Sequence, residues 1–356
     1  VLFASFVVAS IMYTILETLP IETVPADRRS RLNLVVVMPA YNEAGQIEAA
    51  LEAIPSYVRT ILVVDDASSD DTPRVVRRMA ERDPRIVLVR HPENRGVGGA
   101  MVTGYRKAVE LGADIVVKID ADGQMSPDDL PALLRPLIRG EADYAKGNRF
   151  RDFRTLAHMP PLRRAGNMVL SFLTKAAVGY WQCFDPCNGY VAIRGDVLRE
   201  LPLESIPHSF FFETSMLAEL YLLRAVVRDV PMPARYGNER SHLSIRRVLV
   251  EFPCRLARCF ARRILLAKFI YDFSIGSVYL LTGLPMLLAG LVYGLNNWVR
   301  YAQAGEGAPT GTVVIPTMLI ILGFQLLLSA IHEDLQSAPH EPICGGVPLA
   351  YQESSP

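Results

Sequence analysis

Four short apolar runs, each closed by a polar loop, constrain this chain more than any other feature of its sequence. Asn33–Met38, Thr60–Val64, Arg85–Val89 and Asp114–Ile119 are rich in Val, Ile and Leu. Between and after them lie stretches of helical character at about 46–54, 71–81, 98–111 and 127–139. Short β-branched runs alternating with helices predict βαβ units and a parallel sheet covered on both faces. In such sheets ligands sit at the carboxyl ends of the strands. Here those ends carry "PAYNEAGQ", "DDASSDDT", "HPENRGVGG" and "DADGQM", so the polar chemistry is expected along one edge.

The second half reads differently. Residues 244–270 hold Arg246, Arg247, Arg255, Arg258, Arg262, Arg263 and Lys268 beside Leu249, Phe252, Leu256, Phe260 and Ile264. Apolar spacing of three and four makes one helical face, and a basic amphipathic helix suits a membrane interface. Pro253 is expected to split the segment into two helices. Ser274–Leu295 and Thr312–Ile331 carry no charge and are long enough to cross the hydrocarbon layer. With only Arg300 positive between them and the basic segment before them, the positive-inside rule puts the large domain and the C-terminus on the cytoplasmic side, at a bacterial inner membrane or its equivalent. The expected organisation is an apolar N-terminal segment and linker (1–32), a catalytic domain (33–243), basic juxtamembrane helices (244–272), a two-helix transmembrane hairpin (273–333) and a tail (334–356). The first residue is Val, which predicts residues upstream. Val1–Leu16 is apolar but short for a full span; the tail of a transmembrane helix, a membrane anchor and a helix packed on the domain all fit it.

Composition excludes some functions. Lys+Arg and Asp+Glu both number 37, so overall charge gives no reason to expect a nucleic-acid partner. The five cysteines form no zinc-like double pair, and they read as reduced thiols. The first strand is not followed by G-x-G-x-x-G, "NRGVGG" lacks that spacing, and no G-x-x-x-x-G-K-[ST] occurs. A nicotinamide dehydrogenase and a P-loop ATPase are therefore disfavoured.

The acidic loops carry the positive signal. Asp65 or Asp66, at the end of the second strand, suits hydrogen bonds to a base or a ribose, while Asp70 and Asp71 suit a helix cap. Asp120, Asp122 and Gln124 alternate on the end of the fourth strand, so that they can face one side. Two carboxylates and an amide oxygen suit a hard divalent cation, Mg²⁺ or Mn²⁺, with positions left for phosphate oxygens. Ser126 or Asp128 would cap the next helix.

In order, "VVVMPAYNE", "VVDDASSDDT", "NRGVGGA", "DADGQ" and "GNRF" resemble the family 2 glycosyltransferases of GT-A fold. "DPCNGY", "PARYGNERSH" and the two spans narrow the resemblance to polyprenyl-phosphate sugar transferases, of the dolichol-phosphate mannose synthase and undecaprenyl-phosphate glucosyltransferase type. The resemblance covers residues 33 to about 332. It implies that Pro39, Tyr41 and Glu43 line a nucleoside pocket with Asp66 and Arg95. Asp120, Asp122 and Gln124 would hold the metal, Arg149 and Arg164 the acceptor phosphate, and Asp185 would lie near the sugar. Arg235, Arg240, Ser241 and His242 would close over the donor diphosphate. Several relatives have Lys where this chain has His242, so Arg240 is expected to supply that charge. Q-x-x-R-W, the mark of processive members, is absent. The expected partners are a UDP- or GDP-hexose, a polyprenyl phosphate, the membrane and further copies of the chain. A hydroxyl-bearing lipid acceptor such as diacylglycerol, with Asp185 as base, is the alternative within the class. A non-catalytic scaffold or flippase subunit is the alternative outside it.

Overall fold

The computed structural model describes residues 32–149, 161–186, 188–209, 211–233 and 245–343, with backbone alone at 161–165, 167 and 245–251. The first half folds as its alternation requires. The order is β1 (Leu34–Ala40), α1 (Ile47–Glu52), β2 (Thr60–Asp65), α2 (Thr72–Arg82), β3 (Ile86–Arg90), α3 (Gly96–Glu110), β4 (Ile115–Lys118) and, after a 3₁₀ turn at Pro127–Asp129, α4 (Leu130–Ile138). Then come β5 (Tyr144–Asn148), α5 (Pro161–Val178), β6 (Val191–Arg194), α6 (Gly195–Glu200), α7 (Phe212–Leu222) and β7 (Val227–Pro231).

The seven strands form one sheet in the order β3-β2-β1-β4-β6-β5-β7. β1 pairs parallel with β2 and β4, β2 with β3, and β5 with β7. β6 runs antiparallel between β4 and β5. Successive side chains of a strand point to opposite faces, and β1 shows this. Val35 and Val37 pack with Ala100, Met101 and Tyr105 of α3. Leu34, Val36 and Met38 pack with Ile47 and Leu51 of α1 and Leu133 and Leu137 of α4. Both faces are covered, so every residue of β4 is buried, Lys118 included.

After the sheet the chain forms α8 (Ile245–Leu265), a π-helical stretch (Leu266–Tyr271), α9 (Ile275–Ala304) and α10 (Thr310–Gln336). Pro253 does not divide α8. A proline in a helix loses one hydrogen bond and crowds the carbonyl four residues back. Here Phe252 and Leu256, on either side of it, pack together against Leu170, Ala177 and Phe211, which holds the two halves in one helix. α9 and α10 are long and apolar enough to cross a bilayer, and most of their surface is uncovered. They touch through glycine. A Cβ at Gly323 would lie 2.6 Å from the Leu287 nitrogen and 2.9 Å from the Gly283 oxygen. Small residues at such a crossing let helix backbones approach closely.

The basic segment is less free than its sequence suggests. Arg262 pairs with Glu219 of α7. The buried Arg263 donates to Asp334 Oδ1 at 2.7 Å and Oδ2 at 3.0 Å, and to the Ala176 and Ala177 carbonyls at the end of α5. Lys268 pairs with Glu333 at 2.6 Å. Trp181 Nε1 also donates to Asp334 Oδ2, at 3.1 Å. Arg262 thus fastens α8 to the sheet domain, and Arg263 and Lys268 fasten it to the last turn of α10. Breaking a buried pair leaves an uncompensated charge. Arg263→Ala is expected to lower stability by about 3–5 kcal/mol, read as earlier melting in detergent, and Arg263→Met with Asp334→Leu should recover most of the loss.

Candidate functional site

Four loops meet at the carboxyl edge of β1–β4. The first two zip together through side chains. Asn42 N donates to Ser68 Oγ at 2.9 Å, Glu43 N to Thr72 Oγ1 at 2.8 Å and Ala44 N to Asp70 Oδ2 at 3.1 Å, while Ser69 N donates to Asn42 Oδ1 at 2.9 Å. Asp70 also accepts from Thr72 N at 3.0 Å, which fixes the turn that leads into α2. Asp71 occupies the N-cap position without a side-chain bond to the helix. Tyr41 projects from this zipped pair with half its surface exposed, and Glu43 is partly exposed.

Asp65 and Asp66 are both buried. Asp65 accepts from Ser68 N at 3.3 Å and Arg90 Nε at 3.1 Å. Asp66 takes Arg95 N at 2.8 Å, Gly96 N at 2.7 Å and His91 Nδ1 at 2.7 Å. Asp66 thereby pins the start of α3, where the Arg95 side chain is exposed. The glycines of "NRGVGG" serve a close approach. Gly98 N donates to the His208 carbonyl at 3.0 Å, and a Cβ at Gly98 would fall 2.4 Å from the Pro207 oxygen.

The acidic turn after β4 differs from its expected geometry. β4 ends at Lys118, so Asp120, Asp122 and Gln124 belong to a turn rather than to an alternating strand end. Gly123 at φ 71° bends it, and Gln124 N donates to Asp122 Oδ1 at 3.0 Å. Ser126 Oγ caps the 3₁₀ turn by accepting from Asp128 N at 3.3 Å, as the sequence suggested. Lys118 Nζ lies 2.7 Å from Asp120 Oδ1 and 3.7 Å from Glu213 Oε1. Burial pulls the Lys118 ammonium down, but the carboxylates of Asp120, Glu213 and Asp122 outweigh it and leave its pKa raised. Among the described residues no group of three or more His, Cys, Asp or Glu gathers. Asp120 keeps 30% of its side chain exposed. Two carboxylates and an amide on one partly exposed turn suit a hard cation that draws its remaining oxygens from a phosphate ligand and water. The residues present therefore fit Mg²⁺ or Mn²⁺.

A second cluster adjoins this one. Val191, the first residue of β6, pairs with Lys118 of β4 and with Lys146 of β5. The "DPCNGY" loop before it consequently sits between the two strand ends. Asp185, 1% exposed, receives Arg149 Nε at 2.8 Å and Nη2 at 3.3 Å. Asn188 locks the loop: its Nδ2 donates to the Gly147 carbonyl at 2.8 Å, and its carbonyl accepts from Lys146. Asp229 accepts from Phe184 N at 2.6 Å and Asn148 Nδ2 at 3.1 Å, and burial raises its carboxyl above the usual range.

Pro39, Tyr41, Glu43, Asp65, Asp66, Arg95, Asp120, Asp122 and Gln124 thus share the edge formed by β1–β4, while Arg149 and Asp185 meet beside it. Arg164 lies on α5, described by backbone alone. Arg235, Arg240, Ser241 and His242 lie outside the described residues. Sequence reasoning missed Lys118, Glu213 and His91. A lysine within the apolar run "VVKID" was the one available signal.

A family model for glycosyl transferase family 2 matches residues 35–202. Undecaprenyl-phosphate mannosyltransferase from Micrococcus luteus is 30% identical over 206 residues, 56% of this chain and 83% of that protein. The chain belongs to glycosyl transferase family 2. UDP-N-acetylglucosamine–dolichyl-phosphate N-acetylglucosaminyltransferase from Methanococcus voltae is 34% identical over 161 residues, which is 42% of this chain and 64% of that relative. Glucosyl-3-phosphoglycerate synthase from Mycobacterium tuberculosis, solved with Mn²⁺, UDP-glucose and phosphoglyceric acid, superposes with a TM-score of 0.50 over 69% of this chain and 84% of its own, at 22% identity. That likeness establishes the shared GT-A fold.

Asp66→Ala would strip the acceptor from three donors. It is expected to cost on the order of 3 kcal/mol and to speed hydrogen exchange at the Arg95 and Gly96 amides.

Proposed function

We infer that this family 2 enzyme transfers a hexose from a nucleoside diphosphate sugar to a polyprenyl phosphate at a membrane surface, with inversion at the anomeric carbon. The observation that carries the reading is the Arg149–Asp185 pair. A hydroxyl acceptor needs a base to take its proton. Asp185 is buried and gripped on both oxygens by one guanidinium, which suits orienting that guanidinium better than taking a proton. A phosphate monoester needs no such base, since it already carries about 1.5 to 2 negative charges. Two relatives whose names specify polyprenyl-phosphate acceptors support the same choice.

The remaining task is to hold two anions together. Arg149, aimed by Asp185, clamps the acceptor phosphate, with Arg164 as its second cation. Asp120, Asp122 and Gln124 would hold Mg²⁺ or Mn²⁺, which supplies neutralisation of the diphosphate leaving group when bound. Lys118 keeps Asp120 in place through its short ion pair. Tyr41, Pro39, Glu43 and Arg95 line the nucleoside side, with Asp65 and Asp66 fixing the loops that carry them. Arg235, Arg240, Ser241 and His242 close over the diphosphate. The tail of the acceptor stays in the bilayer while its phosphate reaches the site, so α9 and α10 act as a membrane hairpin with the catalytic half on the cytoplasmic side. Copies of the chain associate through this hairpin. The transfer itself sets this reading apart from a scaffold or flippase subunit: nucleoside diphosphate released in step with glycosylated polyprenyl phosphate.

Asp122→Ala is expected to abolish transfer, measured as nucleoside diphosphate release, while membrane insertion is unchanged. Full transfer by that variant in Mg²⁺ or Mn²⁺ would overturn the metal assignment. Arg149→Lys keeps the charge and loses the fork. It should lower kcat/KM for polyprenyl phosphate about tenfold, an effect of about 1.4 kcal/mol, with the sugar-nucleotide KM little changed. Equal turnover of diacylglycerol and polyprenyl phosphate would favour the hydroxyl-acceptor reading.

A further inference from the structure

α9 and α10 are not the only helices with an uncovered apolar face. On α5, Met168, Val169, Phe172 and Leu173 form an outward stripe, with Phe172 at 59% exposure. Phe184 stands beside it at 61% exposure. Lys175 Nζ lies 4.4 Å from the Phe184 ring centre, and Ser171 Oγ donates to the Phe184 carbonyl at 3.3 Å, so the loop residue and the helix form one patch. A contiguous exposed apolar patch marks an interaction site. Its position in the fold names the occupant. Phe172 packs edge-on against Trp181 at 5.7 Å, and Trp181 donates to Asp334 in the last turn of α10. The same Asp334 is tied through Arg263 to the Ala176 and Ala177 carbonyls that end α5. The patch therefore begins where the apolar hairpin ends.

We propose that the face of α5 with Phe184 is a second membrane-contacting surface, seated at the headgroup–acyl boundary of the leaflet from which the hairpin enters. This rests on the hairpin reading above. Apolar side chains gain by burial at that depth, Lys175 suits anionic headgroups, and an indole at the same level suits the interface. The surface also has a role in the reaction. Asp185 follows Phe184 directly and holds Arg149, so seating this face brings Arg149 to the depth at which a lipid-borne phosphate lies.

The test uses the full chain with Cys187, Cys254, Cys259 and Cys344 replaced by Ser, the buried Cys183 being kept. A single bimane label is placed at Phe172→Cys, Phe184→Cys, Leu288→Cys on α9 or Glu81→Cys on α2, and the protein is reconstituted in phosphatidylethanolamine–phosphatidylglycerol vesicles. All four positions are exposed, so labelling disturbs no core. The expected result is strong quenching at 172 and 184 by lipid carrying a doxyl group near the headgroup end of its acyl chain, and at 288 by lipid carrying one deep in the chain, with iodide quenching at 172 and 184 about threefold below that at 81. Lipid quenching at 288 with iodide quenching at 172 equal to that at 81 would overturn the surface and leave the hairpin standing. Shielding of 172 from both quenchers would assign the face to another copy of the protein and also overturn it. Absence of lipid quenching at 288 would remove the hairpin reading on which the proposal stands.

Discussion

Parallel strands share one direction, and that constraint places every candidate group. Because β1, β2, β3 and β4 all run the same way, their carboxyl ends and the loops leaving them fall on one edge. The edge is then stiffened by buried carboxylates. Asp66 holds the start of α3, Asp65 the loop after β2, and Asp70 the α1 approach. β6 breaks the direction once. By running antiparallel between β4 and β5 it turns the "DPCNGY" loop back to the same edge, so Asp185 and Arg149 stand next to the acidic turn.

Much of this was legible in the sequence, because a strand buried on both faces is a run of Val, Ile and Leu and the loops at its end are polar. The first four strands and their helices appear within a few residues of their expected bounds. β5 and β7 were harder. "YAKGN" and "VRDVP" interleave charge and glycine with apolar residues, since their polar groups serve the site and the ion pairs around it. Pairing was less visible than placement. Arg149 and Asp185 were both legible as site residues, yet their mutual grip depends on β6, which spacing does not reveal. Lys118 was hidden because a buried cation leaves no periodic trace; only the neighbouring Asp120 and Glu213 make it tolerable.

The basic segment shows the same limit from another side. Its apolar residues at helical spacing, with seven cations among them, read as a basic amphipathic helix for a membrane interface. In the fold Arg262, Arg263 and Lys268 spend their charge on Glu219, Asp334 and Glu333. They are an intramolecular joint, and the partner acids lie at positions 43 to 71 residues away in sequence. No local pattern encodes such a match.

The glycine contact between α9 and α10 carries a mechanical consequence. Backbones that touch at Gly283 and Gly323 leave little room for the helices to slide, so the pair leans as a single boom of about 45 Å, thirty residues at helical rise. In the proposed membrane setting such a boom would answer a thinner or thicker hydrocarbon layer by changing its lean. Since Asp334 ties its foot to Arg263, that change of lean would raise or lower the Arg149–Asp185 pair against the plane of lipid phosphates, and bilayer thickness would become a setting for how readily the two proposed reactants meet.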